Sequence, residues 1–154
     1  LRRQRQMCIR DRYSAANNHY VFEITETIEM DQIPAVQNVF KEFVKNDFRF
    51  AIDDFGTGYS NYGYMRDRTF DIVKVDRSFV TDIDKLKDNY LMVSFIIKMA
   101  HEMGLHVCIE GVETKEELSC VKRLGADYIQ GYYYGKPVCL QDFEEQHLKR
   151  FVLG

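Results

Sequence analysis

No apolar run in the sequence approaches the roughly 18 residues needed to cross a bilayer, and mean hydropathy is −0.37. A helix-spanning membrane protein is excluded. Proline is scarce, with two in the chain, and no low-complexity or internally repeated segment separates one part from another. One domain, or part of one, is the expected organisation. The four cysteines, Cys8, Cys108, Cys120 and Cys139, make no CxxC pair and no cluster with histidine at ligand spacing. That argues against a zinc ribbon and against a disulfide framework. Nothing in the sequence points to secretion, so reduced thiols in the cytoplasm are the default expectation. The glycine-rich stretch at residues 53–60 lacks both GxGxxG and GxxxxGK spacing, which argues against a phosphate-cradling loop.

What is present is a soluble globular composition. The 154 residues are 45% apolar and 14% aromatic, with ten Tyr and eleven Phe to fill a core. The formal net charge of −3 is unevenly distributed. Residues 1–12 hold five Arg and one Asp, a net +4 that leaves −7 for residues 13–154. The basic segment has no apolar periodicity and no signal-peptide core, and it is expected to be a non-native or disordered leader.

From Tyr20 onward, β-rich runs alternate with helical patterns. Strands are expected at Tyr20–Ile24, Phe48–Ile52, Ile72–Val75, His106–Ile109 and Tyr128–Tyr132. Between them, Ile33, Val36, Phe40, Phe43 and Val44 fall at helical spacing, as do Leu91, Met92, Phe95, Ile96 and Met99, the latter closed by Gly104. Both sets are read as buried helix faces. Thr114 followed by Glu117 is a capping box opening a short helix that Gly125 ends. Phe143, Leu148, Phe151 and Val152 suggest a last helix. Successive βα units of this kind imply a parallel sheet.

The polar residues fall where such a sheet binds ligands. At or just beyond the strand ends stand Glu23 and Glu26, Asp53 and Asp54, Lys74 and Asp76, Glu110 and Glu113, and Gln130. In parallel α/β folds the carboxyl ends of the strands form the site, and in barrels they converge on one mouth. Acids converging there make an oxygen-rich site suited to Mg2+, Mn2+ or Ca2+. Asp53 and Asp54 carry the strongest signal, because two adjacent carboxylates held at one centre without a cation repel each other. Lys74 interrupts an apolar run, where an unpartnered ammonium is costly, so a neighbouring acid is expected to pair with it. Residues 53–60 read as a lid or metal-positioning loop. Tyr132, Tyr133 and Tyr134 are read as packing residues in preference to base-stacking ones, and the four histidines as structural or surface.

These stretches, in this order, carry a family resemblance: FEITET (22–27), AIDDFGTGYSNYGYM (51–65), FDIVKVDRSFV (70–80), HVCIEGVET (106–114) and YIQGYYYGKPV (128–138). Over about residues 20–140 the chain resembles the C-terminal part of the EAL domain, a bacterial cyclic di-GMP phosphodiesterase with a TIM-like barrel. The resemblance implies an α/β fold, a partial TIM-like (β/α) barrel of about five parallel βα units. The family's EAL signature strand and a following strand bearing an Asn ligand have no counterpart here. A complete barrel takes about 250 residues, so residues 13–154 are expected to be a truncated EAL domain.

The activity so implied is hydrolysis of cyclic di-GMP to linear pGpG with two Mg2+ or Mn2+ ions. On this mapping Glu23 resembles a metal ligand, Asp53 a ligand shared between the metals, Asp54 a ligand of the second metal, and Glu26 the anchor of the 53–60 loop. Lys74 would stand near the attacking water as general base or electrostatic partner, Glu110 would serve the metal and its water, and Glu113 and Gln130 would support them. The expected partner is cyclic di-GMP, with a homodimer in the intact protein, no DNA or RNA polymer, and no membrane contact from this segment. The alternative is a non-catalytic EAL-like receptor or protein-interaction module, which loss of an acid at Asp53, Asp54 or Glu110 would favour; all three are present.

Overall fold

The alternation of β-branched runs with amphipathic stretches yields five parallel strands in a computed structural model that describes residues 20–25, 34–57 and 69–143. The strands are β1 (Val21–Thr25), β2 (Arg49–Phe55), β3 (Ile72–Val75), β4 (His106–Ile109) and β5 (Tyr128–Ile129), side by side in chain order. Helix α1 (Pro34–Lys45) stands between β1 and β2, α2 (Lys87–Glu102) between β3 and β4, and α3 (Lys115–Leu124) between β4 and β5, with α4 (Leu140–Phe143) following. Every strand pair is parallel. This is the α/β, TIM-like (β/α) arrangement expected, with five parallel strands and, among the described residues, a helix after each of β1, β3, β4 and β5. Within the described residues, no helix is long and apolar enough to cross a membrane.

Side chains of successive strand residues face opposite ways. On one side Phe50, Ile52, Val73, Val75, Val107 and Ile109 enter the core beneath the helices. An aromatic group extends it, with Phe22, Phe40, Phe43, Phe48 and Phe50 in mutual ring contact. On the other side stand Glu23, Asp53 and Lys74, with Glu23 opposite Ala51. The register puts Thr25 opposite Asp53 and Lys74 opposite Cys108. Period-2 alternation thus separates a hydrocarbon layer from a charged one.

The capping box is present as read. The Thr114 hydroxyl accepts from the Glu117 N–H, Glu117 reaches back to the Thr114 N–H, and Gly125 closes α3 at φ 90°. In α2 the buried residues differ from expectation. Val93, Ile96, Ile97 and Ala100 face the core, whereas Leu91, Met92 and Phe95 are exposed. This stretch is apolar nearly all round, so periodicity offers more than one face, and the choice is made by what the sheet presents. Strand β5 is also shorter than expected, ending at Ile129, because Gly131 lies against the backbone of Val112. Any side chain at 131 would meet the Val112 carbonyl oxygen at 2.1 Å. Residues 1–12, Ile33 and the later part of the expected last helix lie outside the described residues.

Candidate functional site

Lys74 is the organising residue. It is central in β3 and 5% exposed, so an unpaired ammonium here would be strongly unfavourable. Its Nζ contacts Glu23 Oε1, Asp53 Oδ1 and Glu110 Oε1, each at 2.8 Å. Burial alone would pull its pKa down. The hydrogen bonds to Asp53, Glu110 and Glu23, with the charge of Glu110, more than reverse that and raise it above the ordinary lysine value. Lys74 is therefore held as a cation. In this arrangement it is the charge partner of the three carboxylates.

Its three acceptors come from three strands: Glu23 from β1, Asp53 from β2 and Glu110 from just beyond β4. The N–H of Glu110 donates to the Val75 carbonyl, which extends the β3–β4 ladder by one residue and fixes the start of the following loop. At the end of β2 the pairing with β3 shifts between Ile52 and Phe55. Asp54 there has φ 54°, a left-handed conformation uncommon outside glycine. The irregularity turns Asp53 and Asp54, which a flat strand would send to opposite faces, toward one centre. Asp53, Asp54 and Glu110 each offer a carboxylate oxygen within 4.8 Å of the others.

The chemistry of this donor set fits a hard divalent cation. Three carboxylates at such spacing repel each other unless a positive charge stands among them, and oxygen-only ligands suit Mg2+ or Mn2+. Lys74 supplies part of that charge from within the chain. Cys108, beside Lys74 on β4, does not join in. Its thiol is pushed up to about 11, chiefly by burial and then by the charge of Glu110.

A cleft of about 890 Å3 opens from Glu110 along the loops after β3, β4 and β5. Glu113 and Gln130 line it, as do Asp76, Arg77, Tyr132 and Lys136. The Lys136 ammonium lies 5.6 Å from the Tyr132 ring centroid. Tyr132, Tyr133 and Tyr134 are exposed at 55%, 41% and 53%, so they are not packing residues. This corrects the sequence reading, and the reason is again Gly131: the chain leaves the sheet there, so the tyrosines belong to a surface turn and not to a strand.

Of the residues singled out from sequence, the structure brings Glu23, Asp53, Asp54, Lys74 and Glu110 into one cluster and lines the adjoining cleft with Glu113 and Gln130. Glu26 and residues 58–60 of the glycine-rich loop lie outside the described residues. His19 and His147 do as well. His101 and His106 are surface residues flanking Asp127, with His101 Nε2 2.8 Å and His106 Nδ1 3.5 Å from its carboxylate.

Three features escaped the sequence reading. Arg77 and Lys136 place cations along a cleft whose near wall is acidic. Asp76 stood among the strand-end acids, yet its carboxylate accepts from the Ser78 N–H and caps a one-turn 3-10 helix at Arg77–Phe79. Glu117 does more than close its capping box, since it also accepts from the Asp82 N–H at 3.2 Å. The cleft cations and the Glu117 tie depend on contacts between loops distant in sequence, for which local pattern has no signal, whereas the Asp76 cap is local, two residues from its donor.

Comparison with known proteins places these observations. The profile of the EAL domain matches residues 3–137. The cyclic di-GMP phosphodiesterase PdeB of Shewanella oneidensis is 35% identical over 131 residues, covering 85% of this chain and 15% of its own length. Among solved structures, the EAL enzyme Bd1971, in a cAMP- and cyclic-di-GMP-bound form, superposes with a TM-score of 0.79 at 34% identity, over 90% of this chain and 37% of its own. BlrP1 of Klebsiella pneumoniae, a manganese and cyclic di-GMP complex, superposes with a TM-score of 0.72 at 30% identity, over 80% of this chain and 32% of its own. The chain spans 14%, 15% and 20% of three further curated relatives.

Proposed function

The chain belongs to the EAL domain family, and from that premise we propose that it carries the strand-end acids of a metal-dependent phosphodiesterase that opens cyclic di-GMP to linear pGpG. The observation that carries this reading is the convergence of Glu23, Asp53, Asp54 and Glu110 around Lys74 at the carboxyl ends of four parallel strands. Relatives bearing the phosphodiesterase name, and structural neighbours bound to cyclic di-GMP, support it.

Asp53, Asp54, Glu110 and Glu23 would hold the proposed pair of Mg2+ or Mn2+ ions. Such ions supply Lewis-acid stabilisation of the charge that builds on a phosphodiester under attack. The chain's own residues supply the rest. Lys74, held protonated, orients the three carboxylates it touches and offers a fixed positive charge to a non-bridging phosphate oxygen. Glu110, joined to Lys74 at 2.8 Å, is placed to accept a proton from water. Glu113 and Gln130 extend the polar wall and position the dinucleotide along the cleft. The exposed Tyr132 ring with the Lys136 ammonium gives the far end a surface suited to a purine. A homodimeric, cytoplasmic parent completes the proposal.

The test is incubation with cyclic di-GMP and Mn2+, with chromatographic separation of the products. Formation of pGpG by the wild type and its loss in Asp53→Asn are expected. Metal-independent turnover, or turnover undiminished in Asp53→Asn, would refute the assignment. Tight binding without turnover in both would favour a receptor.

A further inference from the structure

The acid triad stands at two strand ends, with Asp53 and Asp54 in the last residues of β2, where a tight turn begins, and Glu110 at the start of the loop after β4. Hydrogen bonding along the strands fixes their roots, but not the spacing of the turns themselves. Both loops lean on the same piece of chain, residues 76–82. At Gly56 the backbone lies so close to Phe79 that a Cβ there would sit 2.9 Å from Cε2 of the ring, at φ 95°. After Glu110, Gly111 presses on Arg77, where a Cβ would meet Arg77 Cβ at 2.3 Å and Arg77 Cα at 3.2 Å. A third tie runs through Glu117. One carboxylate oxygen accepts from the Asp82 N–H, and the other from the N–H groups of Glu113 and Thr114.

The segment is itself held from both sides. Asp76 caps its first turn, and Val80 and Ile83 are anchored in the core with 0% and 1% exposure. Phe79 lies between these anchors, partly buried against the same core. Its ring is the side-chain surface on which the turn containing Asp54 rests through Gly56. The turn is short, and Thr57 closes it by donating both its N–H, at 3.3 Å, and its hydroxyl, at 2.9 Å, to the Asp54 carbonyl.

We infer that residues 76–82 form a brace setting the separation of the two acidic loops, with Phe79 as the positioning residue for the Asp53–Asp54 turn. Phe79 carries no group that could ligate a cation, and it acts through Gly56. The inference rests on the divalent-metal reading of the triad and extends it to a residue outside the ligand set. Close packing transmits this support, because a gap of even half an ångström to a ångström at a contact forfeits a large part of its attraction.

The experiment compares wild type with Phe79→Ala, Phe79→Leu and Val93→Ala, the last removing core volume beneath α2 as a reference for general destabilisation. Two readouts are taken on the full chain: Mn2+ affinity by calorimetry, and amide exchange at Thr57 in the metal-free protein. Phe79→Ala is expected to weaken Mn2+ about tenfold and Phe79→Leu about threefold, both with faster Thr57 exchange. Val93→Ala should hold Mn2+ affinity within twofold and leave Thr57 unaltered. If Phe79→Ala unfolds, Phe79→Leu decides. Unchanged affinity and exchange in the Phe79 variants, or equal effects from Val93→Ala, would overturn the brace. Absence of Mn2+ binding by the wild type would instead sink the metal reading, and Thr57 exchange would then decide the brace by itself.

Discussion

Replacing Lys74 by Met leaves Glu23, Asp53 and Glu110 facing one another without their cation. Stranding buried partners costs about 3–5 kcal/mol, but these carboxylates are partly solvated, and screening lowers the expected loss to about 1–3 kcal/mol. Urea unfolding in the presence of a chelator measures it, and added Mn2+ should restore part of the loss. An unchanged midpoint would mean that Lys74 does not balance the cluster. Gly131→Ala is a steric counterpart: its Cβ would meet the Val112 carbonyl oxygen at 2.1 Å, and forcing the backbone aside should lower stability by about 1–3 kcal/mol in the same assay. The two residues differ in how far sequence announces them. A lysine inside Ile72-Val73-Lys74-Val75 advertises a buried charge and hence a nearby acid. Gly131 advertises nothing, since its constraint is the backbone of Val112, nineteen residues before it in the chain.

Among the elements, α3 was legible end to end, because capping residues act over three or four positions. Thr114→Ala should lower stability by about 1 kcal/mol. Glu117→Ala should lower it further, since it also releases the N–H groups of Glu113 and Asp82. Burial would raise the Glu117 pKa, but the N–H donors from Glu113, Thr114 and Asp82 hold it below the ordinary glutamate value. A carboxyl with a depressed folded pKa contributes stability that is complete above its unfolded pKa, about 4.3, and is lost as pH falls through the folded value. Glu117→Gln should therefore cost stability at pH 7 and progressively less in acid, as thermal melts across pH 7 to 3 would show; a pH-independent difference would contradict the assignment. Helix α2 was legible as a helix but not in orientation, because Leu91, Met92, Val93, Phe95, Ile96, Ile97 and Met99 supply apolar residues on several sides. Ile97→Ala should cost about 2–4 kcal/mol as a core truncation, whereas Leu91→Ser should stay within about 1 kcal/mol. Equal losses would restore the face first read from sequence.

At the scale of the whole molecule, the parallel order of five strands could be read from alternating βα patterns, and the acidic mouth from the residues at the strand ends. What pattern could not supply were the joints between loops: Phe79 on Gly56, Arg77 on Gly111, and Glu117 on Asp82. These couple residues more than twenty positions apart and leave no local periodicity. The outer strands of the described sheet, β1 and β5, bear exposed Val21, Phe22 and Tyr128. Open strand edges flanked by apolar side chains favour association, so sedimentation of this chain should show a weight-average mass rising with concentration, and a monomer throughout would contradict that expectation. The central claim is that the strand ends form a divalent-cation site, and Mn2+ titration by calorimetry tests it most directly. Binding by the wild type that is lost in Asp53→Asn and Glu110→Gln, but kept in Asp127→Asn at the amino-terminal ends of β4 and β5, is the predicted result. Binding indifferent to Asp53 and Glu110, or no binding at all, would contradict it.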